Sequence, residues 1–278
     1  MEDLRHKIET AFESGGKLSD REIDFLTDGL LSGLNDGSIR SAEPDGQGGW
    51  KVNLWVKQGI LLLFRFGRMI DYSINDNFKY FDKHTIPPRR FALDDGVRLV
   101  PGGSIIRSGA YVAPGVICMP PMYINIGAYV DEGSMIDSHA LVGTCAQIGR
   151  GVHLSAASQI GGVLEPAGAR PVIVGDGAMI GGNCGVYEGV LIRERAVLGS
   201  GVILNASTRV YDIVNEKILR ASEGQPLEIP AGAVVVPGSR RIPGEFAERE
   251  GLSVAAPMIV KYRDDKTDAR TALEDFLR

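Results

Sequence analysis

Two charged side chains of this sequence, Asp137 and Arg98, could take part in a reaction. Both stand at defined places in a series of regularly spaced apolar residues. Asp137 directly follows Ile136, one of a series of regularly spaced apolar residues, and precedes Ser138 and His139. A carboxylate that points outward from such a series can orient a nucleophile or accept its proton. It can also cap a turn by accepting a hydrogen bond from its own backbone, and the local pattern fits both uses.

Arg98 stands at the start of the same series. A guanidinium group forms bidentate, charge-assisted pairs with carboxylates, so Arg98 is a candidate for binding an acidic substrate. A solvated surface arginine is the alternative interpretation. Arg107, slightly later in the chain, is a weaker candidate for the same task.

Two histidines, His139 and His153, lie within the regular segment. An imidazole can act as the base in acyl transfer to a hydroxyl group, but we expect His153 to pack at a corner of the fold. Zinc sites of the three-histidine type need a third histidine, and His6 and His84 lie outside the segment. We therefore predict no metal site.

The overall composition excludes several classes of protein. The formal net charge of -5 argues against nucleic-acid binding, and the longest apolar stretch, residues 59–64, is far too short to cross a membrane. Three widely spaced cysteines form neither a disulfide framework nor a CxxC metal site. The N-terminus is charged and does not resemble a signal peptide, so we predict a cytoplasmic protein.

Apolar or cysteine residues recur at every sixth position, a period that neither a helix nor a flat strand produces. The first series of anchors is Val100, Ile106, Val112, Cys118, Ile124, Val130, Ile136, Val142, Ile148, Leu154 and Ile160. A six-residue period predicts a parallel β-helix in which each hexad forms one short strand and three hexads form one coil. The position three residues after each anchor is a corner, which favours glycine or another residue that tolerates left-handed backbone angles.

The anchors resume after a gap of 14 residues, which we interpret as two hexads plus two residues. The second series is Val174, Ile180, Val186, Ile192, Leu198, Leu204 and Val210. We expect residues 165–171 to leave the coil as a loop, and residues 212–228 to form a hairpin. The coil should resume near 231 and end near 238, after about six coils in total.

Three regions follow from these patterns. Residues 1–97 form a mixed, mainly helical α/β domain, whose second helix is predicted by a capping box at Ser19 and Glu22 and whose third spans 54–66. Residues 98–238 form the β-helix. Residues 239–278 form an extension with a strand at 258–262 and a helix at 272–277. Tyr111, Tyr123 and Tyr129 recur near the hexad spacing and predict a flank buried by a partner.

Several motifs closely resemble the tetrahydrodipicolinate N-succinyltransferase family. They are residues 122–137, 145–149, 152–155 and 161–166 in the repeat, residues 8–13, 55–57 and 80–83 before it, and 259–261 with 266–267 after it. The resemblance covers nearly the whole chain. It implies a mainly β fold with a left-handed β-helix, a homotrimer, and active sites between neighbouring subunits. It also implies succinyl transfer from succinyl-CoA to ring-opened tetrahydrodipicolinate in lysine and diaminopimelate synthesis, with no tightly bound cofactor.

The resemblance also implies residue roles. Asp137 corresponds to the aspartate that contacts the substrate amine, and Arg98 to the arginine that binds a substrate carboxylate. Family sequences carry a second catalytic carboxylate three residues before the glutamate of a Glu-Gly-Val tripeptide. Here that position is Gly185, so Glu188 is the alternative catalytic candidate. A residue that only shapes the site and an ordinary surface residue are the other two interpretations of Glu188.

The CoA donor is expected near the last coils, where Arg240, Arg241 and Lys261 are candidate phosphate ligands and the backbone from Gly199 to Ala206 lines a path for pantetheine. The sequence around Glu188 also resembles acetyl-transferring relatives, so acetyl-CoA remains an alternative donor. A non-catalytic β-solenoid scaffold is a further alternative.

Overall fold

A computed structural model describes residues 1–264 as a three-sided solenoid of short parallel strands with a helical region packed on one side. The helices are α1 (Glu2–Ser14), α2 (Asp20–Asp36), α3 (Leu54–Phe66) and α4 (Glu245–Arg249), with a 3-10 turn at Leu93–Asp95. Among these residues, no helix is both long and apolar enough to cross a bilayer. The predicted helix at 272–277 lies outside the described residues.

Three helices and two hairpins precede the solenoid. The predicted capping box at the start of α2 is present, since the Ser19 hydroxyl accepts the Glu22 backbone N–H and the Glu22 side chain accepts the Ser19 N–H. Helix α3 occupies the predicted range. The hairpins pair β1 (Ala42–Pro44) with β2 (Trp50–Val52), and β3 (Met69–Asp71) with β4 (Phe81–Lys83).

The solenoid has three faces, each a ladder of parallel strands. Face 1 contains β7 (Tyr111–Val112), β10 (Tyr129–Val130), β13 (Gln147–Ile148), β16 (Ile173–Val174), β19 (Leu191–Ile192) and β24 (Glu228–Ile229). Face 2 contains β5 (Arg98–Leu99), β8 (Ile117–Cys118), β11 (Met135–Ile136), β14 (His153–Leu154), β17 (Met179–Ile180), β20 (Val197–Leu198) and β25 (Ala233–Val236). Face 3 contains β6 (Ile105–Ile106), β9 (Tyr123–Ile124), β12 (Leu141–Val142), β15 (Gln159–Ile160), β18 (Gly185–Val186) and β21 (Ile203–Leu204).

The hexad pattern accounts for both the core and the corners. Anchors such as Ile124, Ile136 and Leu154 have no exposed surface and fill the solenoid interior. At the corner position, even the non-glycine residues His139 and Cys145 have left-handed backbone angles, with φ of 61° and 66°. The chain therefore turns at every sixth residue because the corner adopts a conformation that glycine adopts most readily.

Two predicted anchors are wrong, one at each end of the solenoid. Leu99, not Val100, pairs with Cys118, because the first coil holds one extra residue in the Pro-Gly-Gly segment that follows. Val210 belongs to β22 (Val210–Asp212), which pairs with β28 (Met258–Tyr262) instead of continuing face 1. Ile229 takes the place on face 1 that Val210 was expected to occupy.

The two interruptions are present where they were predicted, but the first has a different length. Ile160 on face 3 is followed directly by Val174 on face 1, so the gap is one hexad plus eight inserted residues. The second interruption contains the antiparallel pair β22 and β23 (Lys217–Leu219). The C-terminal strand β28 pairs antiparallel with β25, and β26 (Ser239–Arg241) pairs with β27 (Ser253–Ala255).

The helical region and the solenoid share one packing interface. Solenoid residues Ile126 and Cys145 belong to the same buried cluster as the core residues of α1, α2 and α3. Tyr111 and Tyr129 stack on each other on face 1, and the Arg40 guanidinium lies 3.6 Å from the Tyr129 ring centroid. The prediction that these two tyrosines await a partner is therefore wrong, because the chain's own N-terminal region covers them.

Candidate functional site

Asp137 lies where the chain turns from face 2 to face 3, and we call this line of corners the 2–3 edge. Its Oδ1 accepts the backbone N–H of Ser138 at 2.6 Å, so the turn-capping role considered from sequence is present. Within residues 1–264, its Oδ2 accepts no hydrogen bond, and the residue is half-buried. One oxygen thus fixes the carboxylate while the other remains available to a ligand.

Arg98 is exposed on β5, on the outer surface of face 2. Its backbone N–H donates to the Val116 carbonyl oxygen at 2.9 Å, but its guanidinium has no hydrogen-bond or ion-pair partner among residues 1–264 and is available to an anion. Strand β11, which Asp137 follows, is two strands away on the same face, or about 10 Å at the usual strand spacing. Arg107, by contrast, forms an ion pair with Asp82, which indicates a structural role.

Glu188 lies where the chain turns from face 3 to face 1, and we call this line of corners the 3–1 edge. Its Oε2 accepts the backbone N–H of Ala206, in the next coil, at 3.0 Å. The residue is exposed and has a φ of 53°, which is uncommon for a residue that is not glycine. Strained backbone of this kind is often found at functional sites.

Tyr187 adjoins the candidate residue Glu188 and was not singled out by the sequence analysis. A Cβ atom at Gly185 would lie 2.5 Å from the Tyr187 ring, and one at Gly161 would lie 2.6 Å from it. The aromatic ring therefore covers the position at which the resemblance implies a second carboxylate. The glycine within strand β18 was the available signal, since a glycine inside a strand often marks the close approach of another group.

The predicted site residues fall into two groups within one chain. Asp137 and Gly199 share the 2–3 edge, three coils apart, or about 14 Å along the solenoid axis. Glu188 and Ala206 share the 3–1 edge and are hydrogen-bonded. One copy of the chain therefore does not bring the two carboxylates together. Lys261 lies on neither edge, because it is part of β28, and its Nζ lies 3.2 Å from Asp264.

A cleft of about 440 Å³ lies at the late coils, where the donor was expected. It is lined by Ile203, Asn205, Ser207, Thr208, Arg209, Arg240, Val254, Ala255 and Pro257. It includes one of the predicted basic residues, Arg240, and adds Arg209, which the sequence analysis did not single out. The cleft is not lined by the predicted residues Gly199, Ala206 and Lys261.

The histidines and cysteines of the solenoid differ in exposure. His153 is on strand β14, not at a corner as predicted, whereas His139 is an exposed corner residue. All three cysteines are buried and free, and burial raises the thiol pKa of Cys118 to about 12 and that of Cys145 to about 11. Within residues 1–264, no cluster of three potential metal ligands occurs.

Comparisons with known proteins agree with the resemblance over the full length. Residues 3–66 match the profile "Tetrahydrodipicolinate N-succinyltransferase N-terminal", and residues 171–206 match "Hexapeptide repeat of succinyl-transferase". A 2,3,4,5-tetrahydropyridine-2,6-dicarboxylate N-succinyltransferase from Polynucleobacter asymbioticus is 40% identical, over 98% of this chain and 97% of its own length. The chain belongs to the tetrahydrodipicolinate N-succinyltransferase family.

Other members of this family are equally similar. The enzyme of the same name from Psychrobacter arcticus is 41% identical, over 99% of this chain and 98% of its own. Among solved structures, a putative N-succinyltransferase from Campylobacter jejuni aligns with a TM-score of 0.46 at 16% identity, over 86% of this chain and 63% of its own. The strand ladders and the repeat match confirm the predicted parallel β-helix behind an N-terminal helical domain. The names of the full-length relatives confirm the prediction of an acyltransferase.

Proposed function

We propose that this chain transfers a succinyl group from succinyl-CoA to the amine of ring-opened tetrahydrodipicolinate, L-2-amino-6-oxopimelate, in lysine and diaminopimelate synthesis. The observation that carries the proposal is the identity of about 40% over the full length of relatives named for this transfer. The available guanidinium of Arg98 and the half-free carboxylate of Asp137 suit a substrate that has both carboxylates and an amine. The free, buried cysteines suit a reducing compartment, so we expect the reaction in the cytoplasm.

The proposed reaction is direct attack in a ternary complex. The amine nitrogen attacks the thioester carbonyl carbon, a carbon–nitrogen bond forms, and the carbon–sulfur bond breaks. Asp137 accepts the proton that the amine loses, and CoA leaves as a thiolate that is then protonated. The high thiol pKa values of the buried cysteines argue against an acyl-cysteine intermediate.

We propose that the working site lies between two copies of the chain in a homotrimer. Asp137 and Glu188 occupy different edges of one solenoid, so a single copy presents only one of them to a bound amine. Face 3 lies between these edges, and its outer residues Ile105 and Ile203 are about half exposed in the isolated chain. Packing of a neighbouring copy along this face would cover them and bring the second carboxylate to the site.

We place the CoA donor in the cleft that contains Arg209 and Arg240. Two guanidinium groups can bind phosphates, and the backbone of the last coils offers polar groups to the pantetheine arm. Positioning both substrates in one complex would supply much of the rate enhancement. Gly199 and Ala206 remain candidates for contacts along the arm, and Lys261 remains a weaker one.

The test is thiol release by purified protein with succinyl-CoA and 2-aminopimelate. Release that needs both compounds supports the proposal. Thiol release with acetyl-CoA and 2-aminopimelate, but not with succinyl-CoA, would reassign the chain to an acetyltransferase. No thiol release with either donor would favour a scaffold. Asp137→Asn should lower kcat by about 10²- to 10⁴-fold.

Asp131→Asn is a matched control for this variant. Asp131 occupies the same slot one hexad earlier, and its Oδ1 accepts the Glu132 backbone N–H at 2.8 Å. Both variants therefore alter an equivalent turn cap. Equal kinetic effects of the two substitutions would remove Asp137 from the mechanism.

A further inference from the structure

The buried side chain of Lys57 joins the N-terminal helices to the loop inserted between β15 and β16. Lys57 lies on α3 and has no exposed surface, and its Nζ donates a hydrogen bond to the carbonyl oxygen of Ala169. Ala169 is 112 residues further along the chain, within the inserted segment 161–172. This contact thus joins two regions that are distant in sequence.

The surroundings of Lys57 do not offset its charge. No carboxylate among residues 1–264 forms an ion pair with it, and burial lowers its pKa, although the nearby Cys145 thiol has a smaller effect in the opposite direction. A buried cation without a counter-charge is unfavourable, and an apolar side chain of similar length often stabilises such a position. Core stability therefore does not explain the ammonium group, whereas its contact with the loop does.

The same loop touches the corner that contains Glu188. A turn is closed by the Ala169 N–H, which donates to the Pro166 carbonyl at 2.9 Å. The next loop residue contacts the corner itself, since a Cβ atom at Gly189 would lie 2.9 Å from the carbonyl oxygen of Arg170. The glycine next to Glu188 is thus in close contact with the residue next to the Lys57 acceptor.

A second anchor holds the loop on the helical side. Leu164 is partly buried against the apolar cluster that joins α1, α2 and α3 to the solenoid residues Ile126 and Cys145. Between its ends, the loop is therefore held by an apolar contact with this cluster and by a hydrogen bond from a charged donor on α3. Its opposite surface lies along the 3–1 edge, where the candidate carboxylate lies.

We propose that Lys57 is a positioning residue for acyl transfer: its hydrogen bond to Ala169 holds the 161–172 loop as a wall of the substrate site beside Glu188. The catalytic part of this inference rests on the proposed function, whereas the ordering of the loop does not. Lys57 acts through the loop and need not touch the substrate.

The experiment compares Lys57→Met with the wild-type chain, using Lys51→Met as the matched control because Lys51 is an exposed lysine on β2. Hydrogen–deuterium exchange of the peptide covering 161–173 should be at least tenfold faster in Lys57→Met. Exchange of the coil strands 129–142 should be unchanged. The melting temperature should equal or exceed that of the wild type, an outcome that a merely structural role would not give.

In the same variant, KM for the amine acceptor should rise about tenfold while kcat changes less than threefold. Lys57→Arg keeps the charge and should restore much of the loop protection. If Lys57→Met does not fold, Leu164→Ala loosens the loop through its other anchor and should give the same exchange and the same rise in KM. Unchanged loop exchange in a folded Lys57→Met protein would overturn the inference.

Faster hydrogen–deuterium exchange of the loop with unchanged KM and kcat would overturn the link between the loop and the substrate site. Failure of the proposed function would look different. The wild-type chain would then release no thiol with any donor, while the exchange result would still decide whether Lys57 orders the loop.

Discussion

The ring of Tyr187 covers Gly185 so closely that a Cβ atom at position 185 would lie 2.5 Å from the ring. Gly185 is the first residue of β18 and Tyr187 directly follows this strand, and the ring also approaches Gly161 of the coil below. A side chain larger than glycine at position 185, such as the carboxylate that the resemblance implies, therefore requires Tyr187 to move. The aromatic ring and the two glycines therefore fit one another, and Glu188 is the next residue in the chain.

Gly185→Ala should destabilise the fold because the new methyl group overlaps the Tyr187 ring. Overpacking of this kind costs about 1–3 kcal/mol, so the melting temperature should fall by several degrees. In a Tyr187→Ala background the same change should cost much less. Gly168→Ala is the control, since no atom lies within 4 Å of a Cβ there. Equal melting temperatures for Gly185→Ala and the wild type would show that the ring moves freely.

Glu188→Gly and Glu188→Ala should separate backbone strain from catalysis. The glycine variant removes the free-energy cost of the left-handed backbone at position 188, which is about 1 kcal/mol. It also loses the hydrogen bond that the Ala206 N–H donates to the Glu188 carboxylate, whose contribution to stability is about as large. Alanine loses the bond and keeps the strain, so it should be the less stable variant in thermal unfolding. If the carboxylate serves the reaction, turnover should fall at least tenfold in both. A stable, fully active Glu188→Gly protein would assign the residue to the surface.

The six-residue period predicted the strands in the middle of the solenoid because each anchor there is enclosed by coils on both sides. Packing of this kind enforces the register, so one misplaced residue would expose a whole set of apolar side chains. At the ends, one neighbouring coil is missing. Leu99 takes the pairing position expected for Val100 and is 42% exposed, and Ile229 takes the place expected for Val210. The period alone could not identify either residue.

The phase of the repeat also placed Asp137 and Glu188 on edges of the solenoid. It could not identify Tyr187 or Lys57, because their roles depend on contacts that leave no regular spacing. The Lys57 contact spans 112 residues and begins on a helix whose pattern indicates only burial. The predicted length of the inserted loop was wrong because a gap in the period does not show on which face the next strand lies. Val174 follows Ile160 on the next face, so eight residues are inserted instead of two.

Asp212 should make stability depend on acid pH. The residue is 3% exposed; burial raises its pKa, but hydrogen bonds from Asn215, Tyr262 and the backbone outweigh this and lower it overall. A lowered pKa means that the ionised form stabilises the fold fully above the unfolded value of about 4, and that this stabilisation is lost as the pH falls further. Denaturant midpoints should therefore decrease between pH 5 and pH 3.

Asp212→Asn tests this assignment. At pH 7 it should lower the free energy of unfolding by about 1–3 kcal/mol, because the Tyr262 hydroxyl loses a charged acceptor 2.7 Å away. The variant should also lose part of the acid dependence. The exposed Asp76→Asn is the control and should behave like the wild type at both pH values. Parallel acid curves for Asp212→Asn and the wild type would contradict the assignment.

The three cysteines should be unreactive in the folded enzyme and irrelevant to turnover. With a thiol pKa of about 11, only about one part in a thousand of Cys145 is ionised at pH 8, and the thiolate is the reactive form. Ellman's reagent should therefore detect no rapid thiol in the native protein and three after unfolding in guanidinium. Treatment with iodoacetamide under native conditions should leave thiol release from succinyl-CoA unchanged. The opposite result would be a single fast-reacting thiol, with activity falling in proportion to the fraction of that thiol modified. This would support an acyl-cysteine intermediate and exclude direct attack by the amine.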